Sequence, residues 1–243
     1  MEEHLPPWLP VVIAAPFIGS FIGVLADRLP EHRPVVFARS SCDHCGAQLQ
    51  AWELVPLVSY AMQRRRCRHC GERIRVFHPA IEIGAVIIAF WAALADADTL
   101  WVSCALGWSL LALSLIDIRC MRLPDLLTLT LVLAGLGVTW SSNPESLTDH
   151  AAAAAFGYLL LRSIAWIYRR LRGREGLGEG DAKLLAAAGA WLGLAAMPWV
   201  ILLAATAGLF TALCLHLWGW RMRRDTAIPF GPFLALAMWL LWL

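Results

Sequence analysis

Two aspartates stand at the ends of long apolar stretches of this chain. Asp181 follows the glycine-rich segment 176–180 and precedes the apolar stretch 184–218, while Asp117 closes another apolar stretch. A carboxylate at the edge of a membrane helix costs free energy unless it is paired or faces water, so such a position indicates a functional site. The two acids are therefore the first candidates for chemistry.

Paired aspartates can activate a water molecule. Two carboxyls brought close in a low-dielectric site cannot both ionise easily, so one holds a proton while the other acts as a base on water, which can then attack a peptide carbonyl. Such a pair titrates as a unit, so we assign no separate acid and base to Asp117 and Asp181. Gly178 and Gly180 would let a substrate backbone approach the pair closely. The pattern predicts a two-aspartate hydrolytic site.

Ordinary structural roles stay open for both acids when position alone is considered. Asp117 can be a boundary charge that pairs with Arg119. Asp181 can pair with Lys183 or cap its own helix. Position by itself does not decide between these roles and catalysis.

Two further acids lie at the edges of the apolar stretches. Asp125 directly follows Pro124, which favours a first-turn acid stabilised by the helix dipole over a catalytic group. We keep Asp125 and Lys183 as supporting candidates for the aspartate pair. Glu82 lies a few residues inside another apolar stretch, where it can cap a segment, pair with Arg162 or serve a ligand.

The composition places these acids in a membrane protein. Hydrophobic residues make up 59% of the chain, charged residues 16%, and the mean hydropathy is +0.62, whereas soluble domains carry about 25% charged residues. We therefore predict an all-α integral membrane protein in contact with the lipid bilayer, and no nucleic-acid partner. Stretches near the length of a membrane span number eight, at 8–27, 79–95, 99–116, 124–140, 150–168, 183–196, 198–218 and 228–243.

The basic residues predict the orientation. All but one of the 20 Lys and Arg residues fall in loops on one side of the eight spans or, for Lys183, at the span end on that side, and the exception is Arg162. Loops rich in Lys and Arg stay in the cytoplasm. We therefore expect both termini to face outward, and Asp117, Asp181 and the long loop 28–78 to lie at the cytoplasmic face.

Two pairs of cysteines in the loop 28–78 predict a zinc site. Each pair has the spacing Cys-x-x-Cys, a glycine follows each pair, and 21 residues separate the pairs. This pattern is typical of a structural zinc ion with four thiolate ligands, and disulfides rarely persist in the cytoplasm. His44 and His69 are alternative ligands. The predicted ligands are Cys42, Cys45, Cys67 and Cys70.

These features divide the chain into three parts. Residues 1–27 form a first membrane helix, residues 28–78 a cytoplasmic zinc-binding domain, and residues 79–243 a multi-helix membrane domain that carries the two aspartates.

An ordered set of motifs resembles the type IV prepilin peptidases, the leader peptidases of type IV pili and type II secretion. The set runs through most of the chain, in the order that the family has. It comprises Gly19-Ser20-Phe21 with Arg28-Leu29-Pro30, the two cysteine pairs with Pro56-Leu57-Val58-Ser59-Tyr60 between them, His78-Pro79-Ala80-Ile81-Glu82, Asp117 with Leu123-Pro124-Asp125-Leu126-Leu127-Thr128, Gly178-Glu179-Gly180-Asp181-Ala182-Lys183, and Pro229-Phe230-Gly231-Pro232.

The resemblance implies a membrane aspartic protease of the bacterial inner membrane. By it, Asp117 and Asp181 are the catalytic pair, and the substrates are prepilins or pseudopilins with a short basic leader. Cleavage at the cytoplasmic membrane face is expected.

The resemblance also implies a second activity. Family members with the zinc domain methylate the new N-terminal amine with S-adenosylmethionine, and Glu82 is our candidate for a group that serves this reaction. The chain has Gly23 where the family commonly has Asn, so a side chain that could form hydrogen bonds is missing there.

Other functional classes make different predictions. A multi-pass ion-coupled transporter with a structural zinc loop would place its acids near the middle of the bilayer. A membrane zinc metalloprotease would need an open metal position and a His-Glu-x-x-His motif, and the sequence has no such motif. A membrane-anchored zinc scaffold would not depend on either aspartate.

Overall fold

The secondary structure of the described chain is helical. The computed structural model describes residues 6–31, 33–35, 40–42, 44–96, 98–173, 176, 178–219 and 228–243. The α-helices among these residues are α1 (Trp8–Arg28), α2 (Val58–Met62), α3 (Phe77–Ala95), α4 (Leu100–Cys120), α5 (Asp125–Ser142), α6 (Leu147–Arg172), α7 (Glu179–Leu192), α8 (Met197–Leu217) and α9 (Gly231–Trp242).

The predicted all-α membrane fold is confirmed. A helix lies in each of the eight predicted stretches, and six helices within the described ranges are long and apolar enough to cross a membrane. α7 has 14 residues and α9 has 12. At 1.5 Å per residue these helices are about 21 and 18 Å long, against a hydrocarbon core of about 30 Å. α7 and α9 are therefore shorter than a full membrane span; the stretch 183–196 that we predicted was as short as α7, and the stretch 228–243 was longer than α9.

Local side-chain bonds separate α3 from α4. The Asp96 carboxylate accepts a hydrogen bond from the Asp98 N–H at 3.0 Å and one from the Thr99 hydroxyl at 2.9 Å. These bonds hold the pKa of Asp96 below its ordinary value. The break that we predicted between the second and third apolar stretches therefore lies at a turn that these hydrogen bonds stabilise.

The chain divides into two compact units, Met1–Ala112 and Leu113–Leu243. In the first unit α1 packs on α3 at small residues, because a Cβ at Gly19 would lie 2.6 Å from the Cα of Glu82. The predicted division into 1–27, 28–78 and 79–243 stays a prediction.

Helix α7 is the centre of the second unit. It packs against α5, α6 and α9, and ten of its residues are buried. Small residues permit the contact with α6, since a Cβ at Gly189 would lie 2.5 Å from the backbone carbonyl of Ala153. On the α5 side, the Trp191 indole N–H donates to the Leu131 carbonyl at 2.8 Å. The first turn of α7, which carries Asp181, is thus held by a well-packed helix.

We predict that Gly189→Ala destabilises the protein by ~1–3 kcal/mol, because the added methyl group forces α6 and α7 apart. Gly137→Ala is the matched control, since a Cβ at Gly137 in α5 meets nothing within 4 Å. Thermal unfolding of the purified chain in detergent measures both variants. Equal melting temperatures for Gly189→Ala and Gly137→Ala would contradict this packing.

Candidate active site

Asp117 is buried in the last turn of α4, with 5% of its surface exposed. This end of a helix disfavours a negative charge. The Gly231 N–H, at the start of α9, donates a hydrogen bond to Asp117 Oδ2 at 3.0 Å. The first N–H groups of a helix have no acceptor within that helix. The N-terminus of α9 therefore supplies the partner that α4 cannot give to this carboxyl.

Gly231 has to be a glycine for this contact to form. A Cβ at this position would lie 2.6 Å from Asp117 Oδ2. The sequence alone shows the segment around Gly231 only as part of a motif and predicts no role for it. The signal was present, because Gly231 and Pro232 together begin a helix whose exposed N–H groups need an acceptor.

Asp181 occupies the third position of α7, with 8% of its surface exposed. The Gly178 N–H donates to its side chain, and the charge of Asp117 acts on Asp181. A third-position acid that bonds the N–H of the capping residue is half of a capping box. The two predicted acids are brought together, and each accepts a hydrogen bond at a helix N-terminus, Asp117 at that of α9 and Asp181 at that of α7. The dipole of a helix favours negative charge at this end.

The glycines beside Asp181 serve close packing. A Cβ at Gly180 would lie 2.7 Å from Leu123 Cβ, and a Cβ at Gly178 would lie 3.3 Å from Asp181 Oδ2. We expected both glycines to admit a substrate backbone. At Gly180 the space belongs instead to Leu123, so this glycine lets the α4–α5 connection contact the first turn of α7.

Lys183 joins α7 to α5. Its Nζ lies 2.6 Å from Asp125 Oδ1 and 3.1 Å from Glu179 Oε1, and its side chain is 16% exposed. Lys183 therefore pairs with Asp125 and Glu179, and not with Asp181 as one of our alternatives had it. Asp125 is the first residue of α5, with a side chain 64% exposed, which suits the first-turn acid that we predicted. Glu179 lies 3.8 Å from Arg162 Nη1 as well.

The sulfur atoms of the four predicted zinc ligands form one cluster, all within 4.8 Å of each other. The Cys42–Cys70 and Cys45–Cys67 sulfurs are each 4.0 Å apart. A disulfide needs about 2.05 Å, whereas four thiolates around one zinc at about 2.3 Å stand near 3.8 Å from each other. The cluster therefore fits a single metal ion.

Backbone geometry favours metal binding at both cysteine pairs. Gly46 and Gly71 adopt φ of +69° and +72°, so that the Gly46 N–H reaches the Cys42 carbonyl and the Gly71 N–H reaches the Cys67 carbonyl, both at 2.9 Å. N–H groups of Cys70 and His69 lower the pKa of the Cys67 thiol to about 7, whereas, against the Glu72 N–H, burial and the three neighbouring thiols raise the pKa of the Cys70 thiol to about 11. The opposite shifts show that the thiols of the cluster share charge, so it is the positions of the four sulfur atoms that indicate a metal site.

Glu82 lies in the first unit, on α3, with 5% of its surface exposed. The Leu57 N–H donates to Glu82 Oε2 at 2.8 Å, and the Ser20 hydroxyl also hydrogen-bonds to this carboxyl. Of the alternatives for Glu82, the capping of a backbone segment is the one that these contacts support.

Gly23 is packed against a histidine. A Cβ at this position would lie 2.5 Å from His78 Nδ1. With the imidazole ring in place, the backbone at this position has no room for an Asn side chain.

Comparison with known proteins identifies relatives over most of the chain. Residues 13–95 match the model of the bacterial peptidase A24 N-terminal domain, and residues 104–213 match the model of the type IV leader peptidase family. Over 211 residues, which are 86% of this chain and 68% of the relative, the sequence is 45% identical to a prepilin leader peptidase/N-methyltransferase of Burkholderia pseudomallei (strain 1026b).

Two other relatives carry the same name. The protein from Aeromonas hydrophila is 38% identical over 271 residues, which are 98% of this chain and 93% of the relative. The protein from Pseudomonas aeruginosa is 36% identical over 256 residues, which are 93% of this chain and 87% of the relative. No solved structure matches this chain.

The bridge from Lys183 to Asp125 should be measurable in a double-mutant cycle. We expect Lys183→Met and Asp125→Asn to be non-additive by ~0.5–1 kcal/mol, a modest value because the Asp125 carboxylate is exposed. Denaturant unfolding in detergent gives the free energies. A parallel cycle of Lys183→Met with Glu145→Gln, an exposed acid on another loop, should be additive. Additivity in both cycles would refute the bridge.

Proposed function

Because the chain belongs to the type IV leader peptidase family, we propose that it cleaves the short basic leader from prepilins or pseudopilins and methylates the new N-terminal amine. The resemblance seen in the sequence is confirmed by two family models that together cover residues 13–95 and 104–213. The relatives' printed names join both activities in one protein. The comparisons give no support to the ion-coupled transporter.

The observation that carries the peptidase proposal is the pair of buried carboxyls at two helix N-termini. Asp117 and Asp181 are close enough for one charge to act on the other, and both are largely withdrawn from solvent. Two such carboxyls hold one proton between them more easily than two charges. The pair is therefore suited to act as one acid and one base.

In the proposed reaction, the ionised carboxylate takes a proton from a water molecule. The hydroxide oxygen attacks the scissile carbonyl carbon, while the protonated carboxyl donates a hydrogen bond to the carbonyl oxygen. The peptide C–N bond then breaks, and the leaving nitrogen takes a proton from the pair. The N–H groups of Gly231 and Gly178 hold the two carboxyls in orientation throughout.

We place this reaction at the cytoplasmic face of the bacterial inner membrane. The support is the distribution of Lys and Arg, which leaves the loops on the other side without a basic residue. Both termini then face outward. The chain itself is a multi-pass membrane protein, as the six long apolar helices within its described ranges indicate.

We propose that the cysteine cluster holds a structural zinc ion. Cys42, Cys45, Cys67 and Cys70 supply four thiolates and leave no open position, so the ion would hold the long loop of the first unit together.

S-adenosylmethionine would supply the methyl group for the second activity. The support is the name that the relatives carry and the resemblance of the motifs. Glu82 is our candidate for a residue of this second site.

We expect Asp117→Asn and Asp181→Asn each to lower the rate of leader cleavage by at least about a hundredfold, because either change removes one member of the acid–base pair. The rate is measured with a purified prepilin in detergent, from the conversion of the prepilin to its shorter product on a denaturing gel. The matched control is Asp98→Asn, an exposed aspartate in the α3–α4 turn, which should cleave at the normal rate. Normal cleavage by either active-site variant would refute the pair.

Metal analysis should find about one zinc ion per purified chain, in accordance with a four-thiolate site. Cys42→Ser and Cys70→Ser should reduce the zinc content and speed proteolysis of the loop, because the two pairs are no longer held together. Cys120→Ser, an exposed cysteine outside the cluster, is the control. Full zinc content in Cys70→Ser would contradict a four-cysteine site.

A further inference from the structure

We propose that a groove between α8 and α9 binds the apolar helix that follows the scissile bond in the substrate. Four residues of each helix line the groove, which lies within the second unit and measures about 310 Å³. The inference rests on the proposed leader cleavage. It assigns a place to the part of the substrate that lies on the other side of the cut from the basic leader.

The residues that line the groove form one stripe on each helix. On α8 they lie between Leu203 and Phe210, and on α9 between Phe233 and Leu240, in both cases at positions i, i+3, i+4 and i+7. Residues at this spacing share one face of a helix. Each stripe extends about 10 Å along its helix, which is about two turns. The groove therefore follows the two helices along their length.

Small side chains lie between larger ones in this groove. Ala237 is buried and Ala207 is half-buried, whereas Phe210 and Leu236 are exposed. The Thr206 hydroxyl donates to the carbonyl four residues before it at 2.8 Å, so its hydrogen is used within α8. Small residues let another helix approach closely in lipid, and an apolar groove is a common binding site for an apolar helix face. The shape and the chemistry of the groove therefore suit a helix.

The groove begins beside the residue that holds one of the catalytic acids. Its first residue on α9, Phe233, comes two positions after Gly231, whose N–H donates to Asp117 Oδ2 at 3.0 Å. Helix α8 reaches the same level, because a Cβ at Gly208 would lie 3.4 Å from the Phe233 ring. A peptide held at Asp117 thus has the groove as the adjoining apolar surface on α9.

The direction of the substrate through the membrane selects its helix as the occupant. A basic leader stays at the cytoplasmic face, where we place the aspartate pair. The chain on the other side of the cut then enters the hydrocarbon, where only a helix satisfies its backbone N–H and C=O groups. A groove that starts at the pair and follows two apolar helices lies on the path of that helix. Lipid acyl chains are the competing occupant.

Photo-crosslinking identifies the occupant without requiring turnover. The purified full-length chain carries Asp181→Asn, which leaves the prepilin uncut, and p-benzoylphenylalanine in place of Phe210. Irradiation with a prepilin in lipid nanodiscs should cross-link position 210 to a substrate residue within about three helical turns after the cut. The same amino acid in place of Leu209, an exposed residue outside the groove, is the matched control and should react with lipid alone.

Filling the groove should weaken substrate binding and leave the chemical step unchanged. We expect Ala207→Trp to raise the KM for a prepilin at least about fivefold and to change kcat less than about twofold, because the groove contacts the substrate equally before and during cleavage. Ala205→Trp, at an exposed position of α8 outside the groove, should keep the normal KM. A peptide that ends about two residues after the cut spans at most about 7 Å there and lacks the helix. Ala207→Trp should therefore cleave this peptide as the wild type does.

Three results would each overturn the assignment: a normal KM in Ala207→Trp, a loss of peptide cleavage in that variant, or a reaction of position 210 with lipid alone. If Ala207→Trp fails to fold, the cross-link decides by itself. The proposed cleavage would survive these results, because each is judged against a wild-type chain that shortens the prepilin. A wild-type chain that leaves the prepilin uncut would instead refute the proposed cleavage.

Discussion

The burial of two carboxyls in an apolar helical bundle is the constraint on which the second unit depends. A charged group withdrawn from water costs several kcal/mol unless partners replace the water. Asp117 and Asp181 find those partners at helix N-termini: the Gly231 N–H of α9 for the first, and the Gly178 N–H at the cap of α7 for the second. The short helices α7 and α9 therefore supply hydrogen-bond donors to the two acids as well as packing surfaces. Their N-termini lie inside the bundle because two acids need them there.

The glycines around the pair follow from the same constraint. Gly231 lies against Asp117 because any side chain would displace the carboxyl, and Gly180 lies against Leu123 because any side chain would displace the α4–α5 connection. Lys183 adds an ionic bridge from the first turn of α7 to the start of α5. The packing around these residues thus determines the relative position of the two carboxyls. The carboxyls must lie close together if they are to share a proton.

The first unit depends on a different constraint, the folding of its long polar segment. A long polar segment has little apolar surface with which to fold, and a cluster of four cysteines can hold it together through one ion. Glu82 connects this segment to the helices, since its carboxyl on α3 bonds the N–H of Leu57 in the segment.

Local patterns in the sequence were sufficient to predict the membrane-protein class, the helices and the candidate site residues. Apolar runs predict helices because composition and length decide membrane burial, and Cys-x-x-Cys spacing predicts a metal site because each pair reaches one ion through a local turn. The cost of charge near lipid singled out Asp117, Asp181 and Glu82. The partners of these residues could not be predicted in this way. Gly231 is 114 residues from Asp117, Asp125 is 58 from Lys183, and Leu57 is 25 from Glu82. Only the tertiary structure decides which distant N–H or ammonium group reaches each carboxyl, because helix packing, and not sequence spacing, determines which helix ends meet.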